Sequence, residues 1–236
     1  VRCHIVFVYT RLTLIFSSKS YLLQYIVQEL QRQRIETTES SADGMFASES
    51  RPVRVGVCAP TGVAAVHVGG NTLHAFYGIG LGKGSLANVV QKVKENPEAK
   101  KRIEETDVLI IDECSMLSSD LLELLDHVAW TFRSESTLLP FGGLQLVCFG
   151  DFFQLPPVSK GPEKPFCFES PVWQELGLDE GMVDLVEVQR QDNLGFVNLL
   201  QSIRVGRCSR EDIEALNRKC VISETHQLPT DGIVPT

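Results

Sequence analysis

No C-x-x-C pair occurs among the seven cysteines of this chain, and seven is an odd number. That pattern argues against a disulfide-stapled scaffold and a zinc site, and it suits a reducing compartment. Excess positive charge is also missing. The formal net charge is −8, so any basic surface for nucleic acid has to be local. No hydrophobic run is long enough to cross a bilayer. The most apolar stretch, HIVFVYTRLTLIF at residues 4–16, is broken by Arg11 and has no small-residue cleavage site after it. A buried strand is expected there, and no membrane partner. The chain opens on Val1 rather than methionine, which leaves open a targeting segment upstream. Repeats and low-complexity tracts are absent.

What is present is the composition of an ordinary globular protein, with 236 residues, 43% hydrophobic and 22% charged, enough for one large domain or one domain plus part of another. From Lys19 onward, helical and strand patterns alternate as in an α/β sheet. Leu22, Leu23, Ile26, Val27 and Leu30 recur at helical spacing and predict a helix from about Ser20 to Gln33. The polar stretch ETTESSADGMFASESRP then reads as a surface loop. VRVGVCAP, DVLIIDE (107–113), LQLVCFGD (144–151) and MVDLVEV read as buried strands. Helices are expected through Leu117, Leu121, Leu125 and Val128, and through Phe196, Leu199, Leu200 and Ile203.

The strand ends carry the chemistry. Ligands of open α/β sheets bind outside the carboxyl ends of the strands, and acids, prolines and polar residues gather there in this chain. Asp112-Glu113 closes an apolar strand. One carboxylate of such a pair can hold Mg²⁺ through water while the other orients or deprotonates an attacking water. Gln154, in GDFFQLPPV (150–158), sits on a turn stiffened by Pro156 and Pro157, where an uncharged donor can contact a γ-phosphate. Ser18-Lys19-Ser20, just before the first helix, has the form of the last positions of a phosphate-binding loop.

APTGVAA (59–65), NTLHAFYGIG (71–80), IIDECSM (110–116), GDFFQLPPV (150–158) and LVEVQRQDNLGFVNLLQSIRVG (185–206) occur in order. Together they closely resemble the Pif-type family of ATP-dependent DNA helicases, 5′-to-3′ motors of superfamily one, over the chain from about Lys19 onward. The resemblance implies an α/β, RecA-like P-loop NTPase domain with a mostly parallel sheet flanked by helices. It implies ATP and Mg²⁺ as cofactors, with Ser18, Lys19, Ser20 and Asp112 binding the nucleotide and Ser20 and Asp112 on the metal. Lys19 would neutralise the β- and γ-phosphates, Glu113 would be the catalytic carboxylate, and Gln154 would couple γ-phosphate state to movement. Arg190, in VQRQD, matches an arginine directed at the γ-phosphate. Pro60, Thr61, His74 and Phe76 would lie along the path of single-stranded DNA, the hydroxyl on phosphate and the rings on bases or sugars. Packing roles for His74 and Phe76 stand beside that reading. Lys92, Lys94, Lys100, Lys101 and Arg102 form a basic cluster that reads first as a solvated helix face. Forked or structured DNA, a monomeric state, roles in repair, recombination and telomere maintenance, and the nucleus or the mitochondrion follow from the same resemblance.

Two departures from the family pattern stand out. A working loop reads G-x-x-x-x-G-K-[ST], and its glycines let backbone N–H groups wrap the phosphates. Here Thr13 and Ser18 hold the glycine positions. A misassigned or divergent segment over residues 1–17 is the leading explanation. The alternative is a catalytically inactive remnant that binds DNA or protein. The second departure is the end, where LPTDGIVPT resembles the lead-in to a second RecA-like domain. The expected division is therefore 1–17, a RecA-like domain over 18–205, and a connection over 206–236.

Overall fold

The computed structural model describes residues 6–10, 18–40, 46–133, 139–159, 162–185 and 193–220. Its centre is a six-stranded sheet in the order β5-β4-β6-β7-β1-β8. The strands are β1 (Val6–Thr10), β4 (Val55–Ala59), β5 (Asn71–Thr72), β6 (Val108–Ile111), β7 (Gln145–Gly150) and β8 (Met182–Leu185). Every neighbouring pair in it is parallel.

Parallel strands in mid-sheet are covered on both faces, which is why they read as continuous apolar runs. The side chains of β6 and β7 divide by parity. Leu109, Ile111, Leu146 and Cys148 enter one core, and Val108, Ile110, Val147 and Phe149 enter the other. The second core is closed by α1 (Ser18–Arg32), whose Leu22, Leu23, Ile26, Val27 and Leu30 form the stripe anticipated from their spacing. The first core is larger. It takes Leu73, Phe76 and Tyr77 of α3 (Leu73–Tyr77), Val89 and Val93 of α4 (Leu86–Lys94), Ile103 of α5 (Pro97–Glu105), and Leu122, Leu125 and Val128 of α6 (Ser119–Phe132). Trp173 of α7 (Pro171–Glu175) fills the same layer and donates from Nε1 to Asp179 at 2.8 Å. Among the described residues no helix is long and apolar enough to cross a membrane.

The stretch expected to be a polar loop is instead a hairpin. β2 (Arg34–Ser40) pairs antiparallel with β3 (Phe46–Pro52), from Arg34 opposite Pro52 to Ser40 opposite Phe46. Its polarity hid it, since a two-stranded ribbon needs no buried face along its length. A sequence cue does exist, an Asp-Gly dipeptide between the two segments, a pair favoured in hairpin connections. The hairpin is fastened at its base, where the Arg51 guanidinium grips Asp107 through two bonds of 2.6 and 2.7 Å.

The chain divides into two compact units, 1–190 and 191–236. The second holds α8 (Leu194–Arg204) and α9 (Arg210–Cys220). Each helix is capped locally, with Asn193 Oδ1 accepting from Phe196 N and Ser209 Oγ accepting from Asp212 N.

Candidate functional site: a lysine held by two carboxylates, and a groove

α1 begins at Ser18, so Lys19 stands in its first turn, pointing back toward the ends of the strands. β6 ends at Ile111, and the Asp112 amide extends the ladder by donating to the Cys58 carbonyl at 2.8 Å. Glu113 then adopts a left-handed conformation, φ +52°. That turn is unfavourable for a side-chain-bearing residue, and it swings two successive carboxylates toward one point. Lys19 Nζ occupies that point, 3.2 Å from Asp112 Oδ1 and hydrogen-bonded to Glu113 Oε1.

The cluster is deeply placed. Lys19 is 5% exposed and Asp112 4%. Burial alone would drive the ammonium toward neutrality, but the two carboxylates outweigh it and raise the Lys19 pKa above its ordinary value. One oxygen is incompletely served, because Asp112 Oδ1 is buried and receives no well-aligned hydrogen bond. A buried carboxylate oxygen with spare capacity beside a lysine, whose chain neighbour Ser20 carries a hydroxyl, is a donor set suited to a hard divalent cation with bound phosphate. Among the described residues no group of three or more His, Cys, Asp or Glu side chains forms a metal site of its own.

β7 lies beside β6 and delivers Gly150-Asp151 at the same sheet edge. The corner is tight: a Cβ on Gly150 would stand 2.5 Å from Cys114 Sγ and 3.3 Å from the amides of Cys114 and Ser115. Asp151 is fully buried and organises the following turn. Its carboxylate accepts from Phe153 N at 3.1 Å and from Gln154 Nε2 at 3.0 Å, and its carbonyl accepts from Gln154 N at 2.9 Å. Gln154 is thus tethered by main chain and side chain to a buried aspartate on the strand next to the one carrying Asp112. The organising role of Asp151 was missed in the sequence, where Gly-Asp was read only as a strand ending.

A groove of about 250 Å³ opens along the segments that follow these turns. Pro60 and Thr61 after β4, His74 of α3, Met116 and Ser118 after β6, and Pro157 and Val158 beyond Gln154 all line it. Thr61 and Ser118 each use a hydroxyl oxygen to cap a helix, accepting from Ala64 N at 3.3 Å and Leu121 N at 3.4 Å, which leaves the hydroxyl hydrogen to donate elsewhere. Burial lowers the His74 pKa, so its imidazole is neutral at pH 7. Gly82, at φ +62°, belongs to the lining with exposed Leu81.

Phe76 does not join them. It is 4% exposed, packed over Gly56, where an added Cβ would meet the ring at 2.8 Å, and covered by the Arg102 guanidinium 6.0 Å from its centroid. The ring packs against the sheet and does not line this groove. Of the basic residues read first as a solvated helix face, Lys92, Lys94, Lys100 and Lys101 are exposed and Arg102 is half-buried. Arg102 turns inward to donate to the carbonyls of Phe76 and Ala75, and Lys100 pairs with Glu104. Thr13 and Arg190 lie outside the described residues, as does the side chain of Ser18.

A parallel α/β sheet with a lysine heading its first helix, and acids at the tips of adjacent central strands, is a RecA-like nucleotide-site architecture. Residues 16–214 match the PIF1-like helicase family, and the chain belongs to that family. It is 43% identical over 179 residues to the human ATP-dependent DNA helicase PIF1, covering 75% of this chain and 26% of that protein. Against the mouse protein of the same name it is 38% identical over 221 residues, covering 93% of this chain and 30% of the relative. The crystal structure of Pif1 helicase from Candida albicans superposes with a TM-score of 0.77 at 34% identity, covering 99% of this chain and 47% of the other. Pif1 helicase from Bacteroides, solved in complex with ADP-AlF3 and ssDNA, gives 0.70 at 26% identity, covering 96% and 48%. The chain therefore spans between a quarter and a third of those two mammalian relatives.

Proposed function

We propose that this chain is the nucleotide-binding part of a motor that hydrolyses ATP with Mg²⁺ and moves 5′-to-3′ along single-stranded DNA, opening forked or structured duplexes. The observation that carries it is the convergence of Lys19 with Asp112 and Glu113 at the carboxyl edge of the sheet. The likeness to a helicase solved with a nucleotide analogue and single-stranded DNA supports it. A monomeric state, work in repair, recombination or telomere maintenance, and residence in the nucleus or the mitochondrion belong to the same reading.

In this mechanism Lys19 exchanges its carboxylate partners for the β- and γ-phosphates, where a cation offsets charge that grows in the transition state. Mg²⁺, when bound, neutralises phosphate charge, and Ser20 and Asp112 are the residues that would hold it. Glu113, released from Lys19, orients or deprotonates the attacking water. Gln154, anchored through Asp151, senses the γ-phosphate, and Arg190 stabilises the transferring group. The strand would run along Pro60, Thr61 and His74, where a neutral ring and capping hydroxyls that can still donate suit sugars and phosphates.

The test is MgATP affinity and single-strand-stimulated hydrolysis, measured with the chain as it stands and with glycine at Thr13 and Ser18. Weak binding that the glycines strengthen, with hydrolysis abolished by Glu113→Gln, is the expected result. A chain that binds no nucleotide in either form would sink the proposal. That outcome favours the second reading, an inactive remnant binding DNA or protein, which draws its support from the missing glycines themselves.

A further inference from the structure

Lys164 and Asp120 face each other on the groove, with Lys164 Nζ donating to Asp120 Oδ2 at 3.3 Å. Lys164 comes from the segment pinned to the start of α6, where Ser119 N donates to the Pro165 carbonyl at 3.0 Å. Asp120 lies in the first turn of α6. Among the described lining residues Lys164 supplies the fixed positive charge and Asp120 the negative one, because His74 is neutral. An acid on a phosphate-binding groove is a conflict unless something compensates it.

We infer that this pair is an exchangeable latch, in which Asp120 holds Lys164 in place until a DNA phosphate takes the lysine over. The inference rests on the single-strand path proposed above and adds its electrostatic control. Three features make the exchange cheap. Both side chains are solvent-accessible, 44% for Lys164 and 68% for Asp120, so the ion pair itself is weak. Asp120 does not depend on the lysine, since a carboxylate in the first turn of a helix is stabilised by the N-terminal dipole of α6. A lysine that neutralises a phosphate also releases a condensed counterion, a gain the carboxylate cannot match. Asp120 thus pre-orients Lys164 over the groove and also competes with the strand, so it weakens grip and favours release at each step. Neither residue was recognisable in the sequence, where they stand 44 positions apart and outside every motif.

The experiment measures binding of a labelled oligothymidylate to this chain between about 50 and 200 mM salt. Asp120→Asn is expected to tighten binding by roughly two- to five-fold, the range a surface ion pair spans. Lys164→Gln is expected to weaken binding and reduce the salt slope by about one. In the double variant the gain from Asp120→Asn should vanish. Glu98→Gln removes an equivalent first-turn acid from α5, off the groove, and should change nothing. An equal gain from Glu98→Gln, or one that persists without Lys164, would show a bulk charge effect and overturn the latch. The underlying path is checked separately by Thr61→Ala and His74→Ala. If both leave binding intact, the path and the latch fall together. If they weaken binding while the latch variants do nothing, the latch alone falls.

Discussion

Lys19 Nζ lies 3.2 Å from Asp112 Oδ1, joining the head of the first helix to the tip of a central strand. With Glu113 completing the cluster, one buried ammonium serves two carboxylates. Removing one partner of such a cluster leaves uncompensated charge in a desolvated place, which is far costlier than losing a surface ion pair.

Lys19→Ala should therefore act on the fold as well as on the nucleotide. A loss of about 3 kcal/mol is expected in denaturant unfolding, together with loss of MgATP binding. Lys19→Met, which fills the space with apolar volume but keeps no charge, should be no better for binding. A Lys19→Ala protein as stable as the parent would contradict the burial of the cluster.

Glu113→Gln preserves shape, removes the proposed base and takes one of the two carboxylates from Lys19 while Asp112 remains. Nucleotide affinity should stay within a few-fold of the parent while hydrolysis falls by about 10²–10⁴-fold, the usual contribution of general acid–base catalysis. Paired titration and single-turnover measurements separate the two. Loss of affinity equal to the loss of rate would assign Glu113 to binding instead.

Gly150→Ala tests the contact between the two strand-end turns. The new Cβ would collide with Cys114 Sγ at 2.5 Å, so destabilisation of about 1–3 kcal/mol is expected. Shortening the obstacle with Cys114→Ala should restore part of it, a coupling readable in a double-mutant cycle. If the two effects simply add, the contact carries no strain.

Acid stability should report on Asp107. Burial pushes this carboxyl up, but the Arg51 guanidinium and the Arg54 amide, 2.8 Å away, hold it below its ordinary value of 3.8. A depressed folded-state pKa contributes stability above the unfolded value, and that contribution disappears as pH falls through the folded one. Asp107→Asn should cost about 1–2 kcal/mol at neutral pH and flatten the stability profile between about pH 5 and pH 2. An unchanged acid limb would mean that the Arg51 pair contributes nothing to the fold.

The legible parts of this protein are those whose neighbours are dictated by local pattern. β4, β6 and β7 were visible because strands covered on both faces must be apolar throughout, and α1 was visible because Leu23, Val27 and Leu30 can share one face only in a helix. The β2–β3 hairpin was missed because its polar sequence leaves no hydrophobic alternation to read. Phe76 looked available in sequence, yet it became core because Gly56 leaves room for its ring against the sheet. No residue type or spacing announces such a vacancy.

By itself the sequence determined the chemical inventory and its order along the chain: a lysine before the first helix, paired acids closing one strand, a glutamine after the next. Only the tertiary structure decided which of these meet. The left-handed turn at Glu113 and the strand order place Lys19 against the acids, and the packing of α6 sets Asp120 opposite Lys164. Those contacts are long-range, and their geometry follows from how buried surfaces close on one another rather than from any motif.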